Sequence, residues 1–258
     1  MQRFVVMSHN LWADNRWPDR EPALRELLRV RPPDVLATQE LRGFTRDLLD
    51  EELPHHERVV DDFPGWELES NIWWDRRMFT SLEHGIEDIG LTDELTDGER
   101  ERLGDHRRLF WVRLQLHDEG APPVVIATAH YTFPGSDLEL GEGVNPRMRQ
   151  SRLTLTALER VAGDQPCVFM GDLNEAWHTL RILRAGGLSD SFGALRTVPA
   201  PIWPTVPTWP DTWTPWVIDF QLHRGPIRAM TTEVVEFFHH DIAPSDHKPV
   251  VTTYAVTE

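Results

Sequence analysis

The chain has 258 residues, 40% of them apolar, with 42 acidic against 26 basic side chains for a formal net charge of −16. A chain of this size buries roughly 70–75% of the surface its unfolded form exposes, enough for one core without staples, and no apolar run approaches the ~18 residues needed to cross a bilayer. The single cysteine, Cys167, excludes an internal disulfide and a cysteine-based zinc site, and the acidic balance opposes a protein that slides along duplex DNA, because its field repels polyanions.

Arg3 to Leu11 alternates around Phe4, Val6 and His9 and predicts a strand ending at the polar residue Asn10. Glu21 to Val30 places Leu24, Leu27 and Leu28 on one helical face, and Pro32-Pro33 stops it. Val35-Leu36-Ala37-Thr38-Gln39 is a second short strand, ending in Glu40. Strand, helix and strand thus deliver Asn10 and Glu40 at comparable strand ends. Thr45 to Leu53 reads as helical, and Trp66 to Ile89 as β-type material that includes Ile72-Trp73-Trp74. Thr92 to Leu103 is charged and has no apolar stripe, which predicts a surface helix or lid.

Leu109 to Leu116 alternates well, and Val124 to Ala129 is a continuous apolar strand with His130 at its tip. Pro146 to Val161 reads as a helix, followed by the strand Cys167-Val168-Phe169-Met170 and its end, Gly171-Asp172-Leu173-Asn174. Pro199 to Trp216 carries six prolines and four tryptophans, a composition that forms neither a regular helix nor a central strand and predicts an ordered aromatic loop. Trp216 to Leu222, Ala229 to Phe237 and Pro249 to Val256 predict closing strands. No internal repeat or Gly/Ser linker marks a boundary, so one domain over residues 1–258 is expected. Met1 leads directly into Phe4-Val5-Val6-Met7 without a basic region and cleavage site, from which a cytoplasmic location is expected.

The polar residues at predicted strand ends are Asn10, Glu40, His130, Asp172 with Asn174, Asp219, and Asp246 with His247. Singly, most have bland readings: Asn10 as a strand end, Asp172 and Asn174 as turn chemistry, the histidines as satisfied core or surface groups. Asp219 is harder to dismiss, since it interrupts Trp216-Val217-Ile218 and precedes Phe220, where an unpaired carboxylate is costly. It needs a partner. Arg107, Arg147 and Arg149 are candidate phosphate ligands through the bidentate fork of a guanidinium, with a structural role for Arg147 beside Gln150 as the competing reading. Trp203, Trp209, Trp213 and Trp216 form either a hydrophobic cap or an aromatic wall for the substrate; Trp213 and Trp216 are the wall candidates closest in sequence to Asp219.

In order along the chain, Ser8-His9-Asn10-Leu11-Trp12, Asp34-Val35-Leu36-Ala37-Thr38-Gln39-Glu40, Ala127-Thr128-Ala129-His130, Gly171-Asp172-Leu173-Asn174, Ile218-Asp219-Phe220 and Ser245-Asp246-His247-Lys248-Pro249 resemble the motifs of the endonuclease/exonuclease/phosphatase superfamily, the DNase I-like hydrolases. The resemblance implies an α/β (α+β) fold, a two-sheet β-sandwich flanked by helices in four layers. It implies a Mg²⁺ or Mn²⁺ ion held by Glu40 with Asn10 and Asp246, an oxygen set that suits hard cations. Asp172 would orient and deprotonate the attacking water, Asn174 would bond the phosphate or that water, and His130 and His247 would carry charge building on the phosphoryl oxygens. Asp219 matches the carboxylate that bonds the far ring nitrogen of the last histidine. A carboxylate partner for His130 is left open among Glu67, Glu69 and Asp75.

The function so implied is metal-dependent hydrolysis of a small or single-stranded phosphorylated substrate, as a phosphomonoesterase or phosphodiesterase, with no membrane insertion and no obligate protein partner. A nuclease on DNA or RNA is the nearest alternative. A biosynthetic enzyme or ligand-binding protein that reuses the fold is the alternative from another class.

Overall fold

The computed structural model describes residues 2–90, 107–117, 120–200 and 216–257. Their strands form two six-stranded sheets. Across the first run β11 (Ile227–Val234), β12 (Val250–Val256), β1 (Arg3–Asn10), β2 (Val35–Gln39), β4 (Ile72–Asp75) and β3 (His56–Arg58). Across the second run β5 (Phe79–Asp88), β6 (Arg108–Leu116), β7 (Val124–His130), β8 (Cys167–Asp172), β10 (Asp219–Arg224) and β9 (Ser189–Asp190). β1 and β2 are parallel, as are β7 and β8; β2 and β8 are buried along their whole length, and β1 and β7 along most of theirs.

Period-two alternation sorts the side chains into layers. Phe4 and Val6 of β1, Val35 and Ala37 of β2, Val124 and Ile126 of β7, and Val168 and Met170 of β8 fill the space between the sheets. Their neighbours in sequence point the other way. Met7 and Leu36 meet Leu24, Leu27 and Leu28 of α1 (Glu21–Val30) and Leu48 and Leu49 of α2 (Gly43–Glu52). After the short α3 (Gly65–Leu68) and α4 (Asp137–Glu142), Leu158 of α5 (Pro146–Ala162) and Leu180 and Leu183 of α6 (Trp177–Ala185) cover Val125, Ala127 and Phe169. Each fully buried leucine contributes roughly 1.5–3 kcal/mol, so the layering follows from the alternation without special contacts.

Two buried glutamines tie the sheets together below one edge of the sandwich. Gln39 Nε2 donates to Thr128 Oγ1 at 2.8 Å, and Gln221 Nε2 donates to the carbonyls of Val250 at 2.8 Å and Val6 at 3.1 Å. Gln39 directly precedes Glu40, and Gln221 stands two residues after Asp219. At the same edge Gly171 has φ +146°, and a Cβ there would stand 1.9 Å from the Ala129 carbonyl oxygen; only glycine lets β8 approach β7 this closely.

The predicted sandwich and its helical flanks are present. The differences are local. Trp66 lies in a helical turn, the strand expected from Trp216 begins only at Asp219, and the one expected to Phe237 ends at Val234. The helix α6 went unpredicted although Trp177, Leu180 and Leu183 recur at helical spacing, whereas the two-residue β9 and α7 (Ser191–Leu195) are too short to show a period. Thr92 to Leu103 lies outside the described residues, as does the tryptophan-rich stretch from 201 to 215. Among the described residues no helix is long and apolar enough to cross a membrane.

Candidate active site

Strand register brings the polar tips together. His130 pairs with Asp172 across β7 and β8, and Asp219 pairs with Asp172 across β10 and β8, so three acid–base groups lie side by side at one level of the second sheet. Asn10 pairs with Gln39 at the end of the first sheet, and Glu40 follows. Closing one sheet over the other sets these two rows face to face. Asn10 Nδ2 then donates to Glu40 Oε1 at 3.0 Å and to Asp172 Oδ2 at 3.1 Å, bridging the sheets, while its Oδ1 accepts from the Trp12 amide at 2.9 Å.

Asp172 Oδ2 is the hub. Besides Asn10, it has His130 Nε2 at 3.5 Å and His247 Nε2 at 3.8 Å. The other oxygen, Oδ1, accepts from the Asn174 backbone amide at 2.8 Å, and the Asn174 side chain donates to the Tyr131 carbonyl at 2.9 Å and lies 3.1 Å from His130 Nε2. Glu40 and Asn174 both adopt left-handed backbone angles, φ +52° and +51°, so two non-glycine residues of the cluster occupy a sparsely populated conformation. His247 Nδ1 faces Asp219 Oδ2 at 2.8 Å, the partner that the position of Asp219 demanded. Ser245 Oγ donates to the Asn10 carbonyl at 2.7 Å and reaches Asp246 Oδ1 at 3.3 Å, which draws Asp246 to the same rim.

The electrostatics divide the two histidines. Burial opposes charge on His247, yet the carboxylates of Asp219 and Asp172 outweigh it and raise its pKa to about 10, so it is an imidazolium at neutral pH. Burial, with Arg107 and His247 nearby, pushes His130 well below the ordinary histidine value, so it is neutral. Burial and the Asp219 charge raise Asp172 to about 7; burial, with Glu40 nearby and His247 opposing, raises Asp246 to about 6.

These shifts describe a recess in which carboxylates outnumber cations, with the His247 imidazolium facing Asp172. Glu40, Asp172 and Asp246 gather there, and the nearest buried guanidinium, Arg20, is spent on the carbonyls of Trp12, Ala13, Asn15 and Pro244 at 2.7–3.2 Å. Carboxylate and amide oxygens without a matching cation fit a hard divalent ion, which would lower both raised carboxyl pKa values. Asp172, Asp219 and His247, whose ligand atoms lie within 4.8 Å of one another, could also hold a metal ion. There, however, the Asp219–His247 hydrogen bond already occupies one atom of each partner, which suits proton handling better than ligation.

Other expected site residues are placed differently. Arg147 is not open to a substrate: its guanidinium donates to Glu139, at 2.7 and 3.1 Å, to the Thr132 carbonyl at 3.1 Å and to Glu175 at 3.3 Å, and only 4% of the side chain is exposed. A fork saturated by two carboxylates has nothing left for phosphate. Arg107 does reach the site, lining a cleft of about 390 Å³ with Glu40 and His130. Trp216 is 40% exposed three residues before Asp219, and Trp213 lies outside the described residues.

Of the three carboxylates considered for His130, Glu67 pairs with Arg46 and Arg58, and Asp75 with Arg77, whereas Glu69 lines the cleft. Neither Arg20 nor the cleft arginines Arg42 and Arg108 stood out in the sequence; only the place of Arg42, two residues beyond Glu40, could have drawn notice.

The family profile described as Endonuclease/Exonuclease/phosphatase family matches residues 7–247. No curated protein matches the sequence significantly. Among solved structures, the chain is similar to D. rerio TDP2 complexed with single strand DNA product, with a TM-score of 0.76 and 17% identity over 99% of this chain and 100% of that one. It is similar to a mannosyl-6-phosphatase of Bacteroides thetaiotaomicron, with a TM-score of 0.77 and 18% identity over 98% and 99% of the two chains. The human Nocturnin catalytic domain with bound sulfate aligns with a TM-score of 0.73 and 15% identity over 99% and 95%. At these identities the likenesses speak for the fold.

Proposed function

Because the chain belongs to the endonuclease/exonuclease/phosphatase family, we propose that it is a divalent-metal-dependent phosphoester hydrolase acting on a small or single-stranded phosphorylated substrate. The observation that carries this reading is the convergence of Asn10, His130 and His247 on one oxygen of Asp172. A base held by an amide and flanked by one neutral and one protonated imidazole is equipped for water attack at phosphorus.

Glu40 and Asp246, with the second lone pair of Asn10 Oδ1, would hold Mg²⁺ or Mn²⁺. When bound, that ion supplies charge against the phosphoryl oxygens and orients the ester. Asp172, aligned by the Asn174 amide, takes the proton of the attacking water. His247, its Nδ1 held by Asp219, directs Nε2–H at a phosphoryl oxygen, where charge develops. His130, neutral, stands beside the Asn174 amide at the same oxygen cluster and fixes the third contact.

The small or single-stranded substrate is supported by the −16 net charge and by the range of similar proteins, which includes one complexed with a single-strand DNA product and one named for a phosphorylated sugar. Release of phosphate from a panel of nucleotides, sugar phosphates, inositol phosphates and phosphodiesters, with and without Mg²⁺, tests the reading. Turnover that depends on the ion and falls in Asp172→Asn supports it; no turnover on any phosphoester with metal bound ends it.

A further inference from the structure

The cleft beside Glu40 and His130 is lined by three arginines, Arg42 just beyond β2 of the first sheet and Arg107 and Arg108 at the start of β6 of the second. In a chain of net charge −16 this is a local reversal of sign. Their placement is built into the fold. Arg42 follows Glu40 by two residues, and its Nη1 donates to the carbonyls of Leu41 at 2.8 Å and Leu68 at 2.9 Å, which holds the guanidinium at the cleft and leaves Nη2 and Nε for a ligand. Arg108 opens β6, and since Leu109 pairs with Ala129 in antiparallel register, it falls beside His130. Its contact with Asp88, at 3.4 Å, leaves most of the fork uncommitted. Glu40 and Glu69 are the carboxylates of the cleft, and the first is the group whose charge a bound cation would offset.

Water attack by Asp172 uses none of these guanidiniums, and the uncommitted donors of Arg42 and Arg108 face the space beside the reacting ester. A guanidinium offers two parallel N–H donors matched to phosphate oxygens, and three lining one cleft suit a doubly charged group rather than a hydroxyl or an amine. We propose that this cleft is a second phosphate subsite: the substrate carries, besides the ester at Asp172, a further phosphate group that sits among Arg42, Arg107 and Arg108. This rests on the hydrolase reading and narrows its substrate class to bisphosphorylated small molecules or short nucleotides with an additional terminal phosphate.

Calorimetry in Ca²⁺ on matched pairs tests it: thymidine 3′,5′-bisphosphate against thymidine 5′-monophosphate, and fructose 1,6-bisphosphate against fructose 6-phosphate. At least one bisphosphate should bind about tenfold tighter than its monophosphate, as one or two charge-assisted contacts predict; which pair shows it tells a nucleotide from a sugar. In Arg42→Ala/Arg108→Ala the advantage should fall below about threefold, while Arg42→Lys/Arg108→Lys, which keeps the charge, should retain part of it. Equal affinities within both pairs, or an advantage intact in the alanine variant, overturn the subsite. Release of phosphate from the monophosphates in Mg²⁺, measured alongside, separates the two ideas: hydrolysis with no bisphosphate advantage removes the subsite and keeps the hydrolase, whereas an arginine-dependent advantage without hydrolysis does the reverse.

Discussion

Asp219 Oδ2 stands 2.8 Å from His247 Nδ1, while the other oxygen of the same carboxylate, Oδ1, is buried with no hydrogen-bond partner among the described residues. A buried carboxylate with half its acceptors idle keeps its charge mainly for the imidazolium it faces. That contact fixes the tautomer and aims Nε2 at the Asp172 cluster.

Asp219→Asn should therefore lower kcat by about 10²–10⁴ while leaving the fold and metal affinity nearly unchanged. Removing the anion also removes the main support for the proton on His247. Its titration, followed by the ring proton shifts in NMR, should move down from about 10 toward an ordinary histidine. Wild-type turnover in this variant would dismantle the proposed pair.

Glu40 is the carboxylate that Asn10 holds at the mouth of the recess. Mg²⁺ or Mn²⁺ should stabilise the wild type, by about 2.7 kcal/mol at one hundred times Kd, and chelation should abolish turnover. Glu40→Gln should lose most of that metal-dependent rise in Tm. A melting temperature indifferent to both ions in the wild type would count against the oxygen site.

Arg20 joins two loops of the rim. Its guanidinium is fully buried, stacks 5.4 Å from the ring centres of Trp12 and Trp17, and ties the Trp12–Asn15 turn to Pro244, two residues before Asp246. Burial lowers its pKa only to about 10, so it stays charged at neutral pH. Arg20→Met leaves several carbonyls unpaired and should cost about 3 kcal/mol or more in urea unfolding. Metal affinity should weaken as well, since the loops that follow Asn10 and precede Asp246 lose the guanidinium that ties them together; an unaltered Kd for Mn²⁺ would confine Arg20 to folding.

Arg147 yields the opposite prediction. The Arg147 fork holds Glu139 below the usual carboxylate range; burial opposes the same shift in Glu175, but Asn145, His178 and Arg147 outweigh it. A depressed folded-state pKa contributes stability that is fully present above the unfolded value of about 4.3 and is lost as pH falls through the folded one. Arg147→Met should destabilise the protein by about 3–5 kcal/mol at pH 7 and flatten its loss of stability on acidification below about pH 4. KM for phosphoesters should hardly move. A large rise in KM with unchanged stability would restore Arg147 to the substrate.

The site residues were legible because a polar residue at the edge of an apolar run stands out, and six such residues recur in the order Asn10, Glu40, His130, Asp172, Asp219, Asp246, the first four at or just after strand ends and the last two at or before strand starts. Asp219 could even be assigned a need for a partner from its apolar neighbours alone. Arg147 stayed open between a phosphate ligand and a structural group because sequence reveals that a guanidinium is present but not which acids reach it first. Glu139 and Glu175, eight residues before it and twenty-eight after, meet it only once α5 packs against β7 and β8. Arg42 and Arg108 were passed over for the same reason, since 66 residues separate two side chains that share one cleft.

Local pattern by itself determined the layers of this protein: period two sends alternate side chains of one strand to opposite faces, and apolar composition decides which faces close. It also determined which residues stand at the ends of those strands. Which of them meet was decided only by tertiary structure, because strand register and the stacking of two sheets are set by contacts between distant segments. Ångström separations around Asp172 Oδ2, and the opposite protonation of His130 and His247, exist only after that closure has removed the water that would otherwise screen each charge.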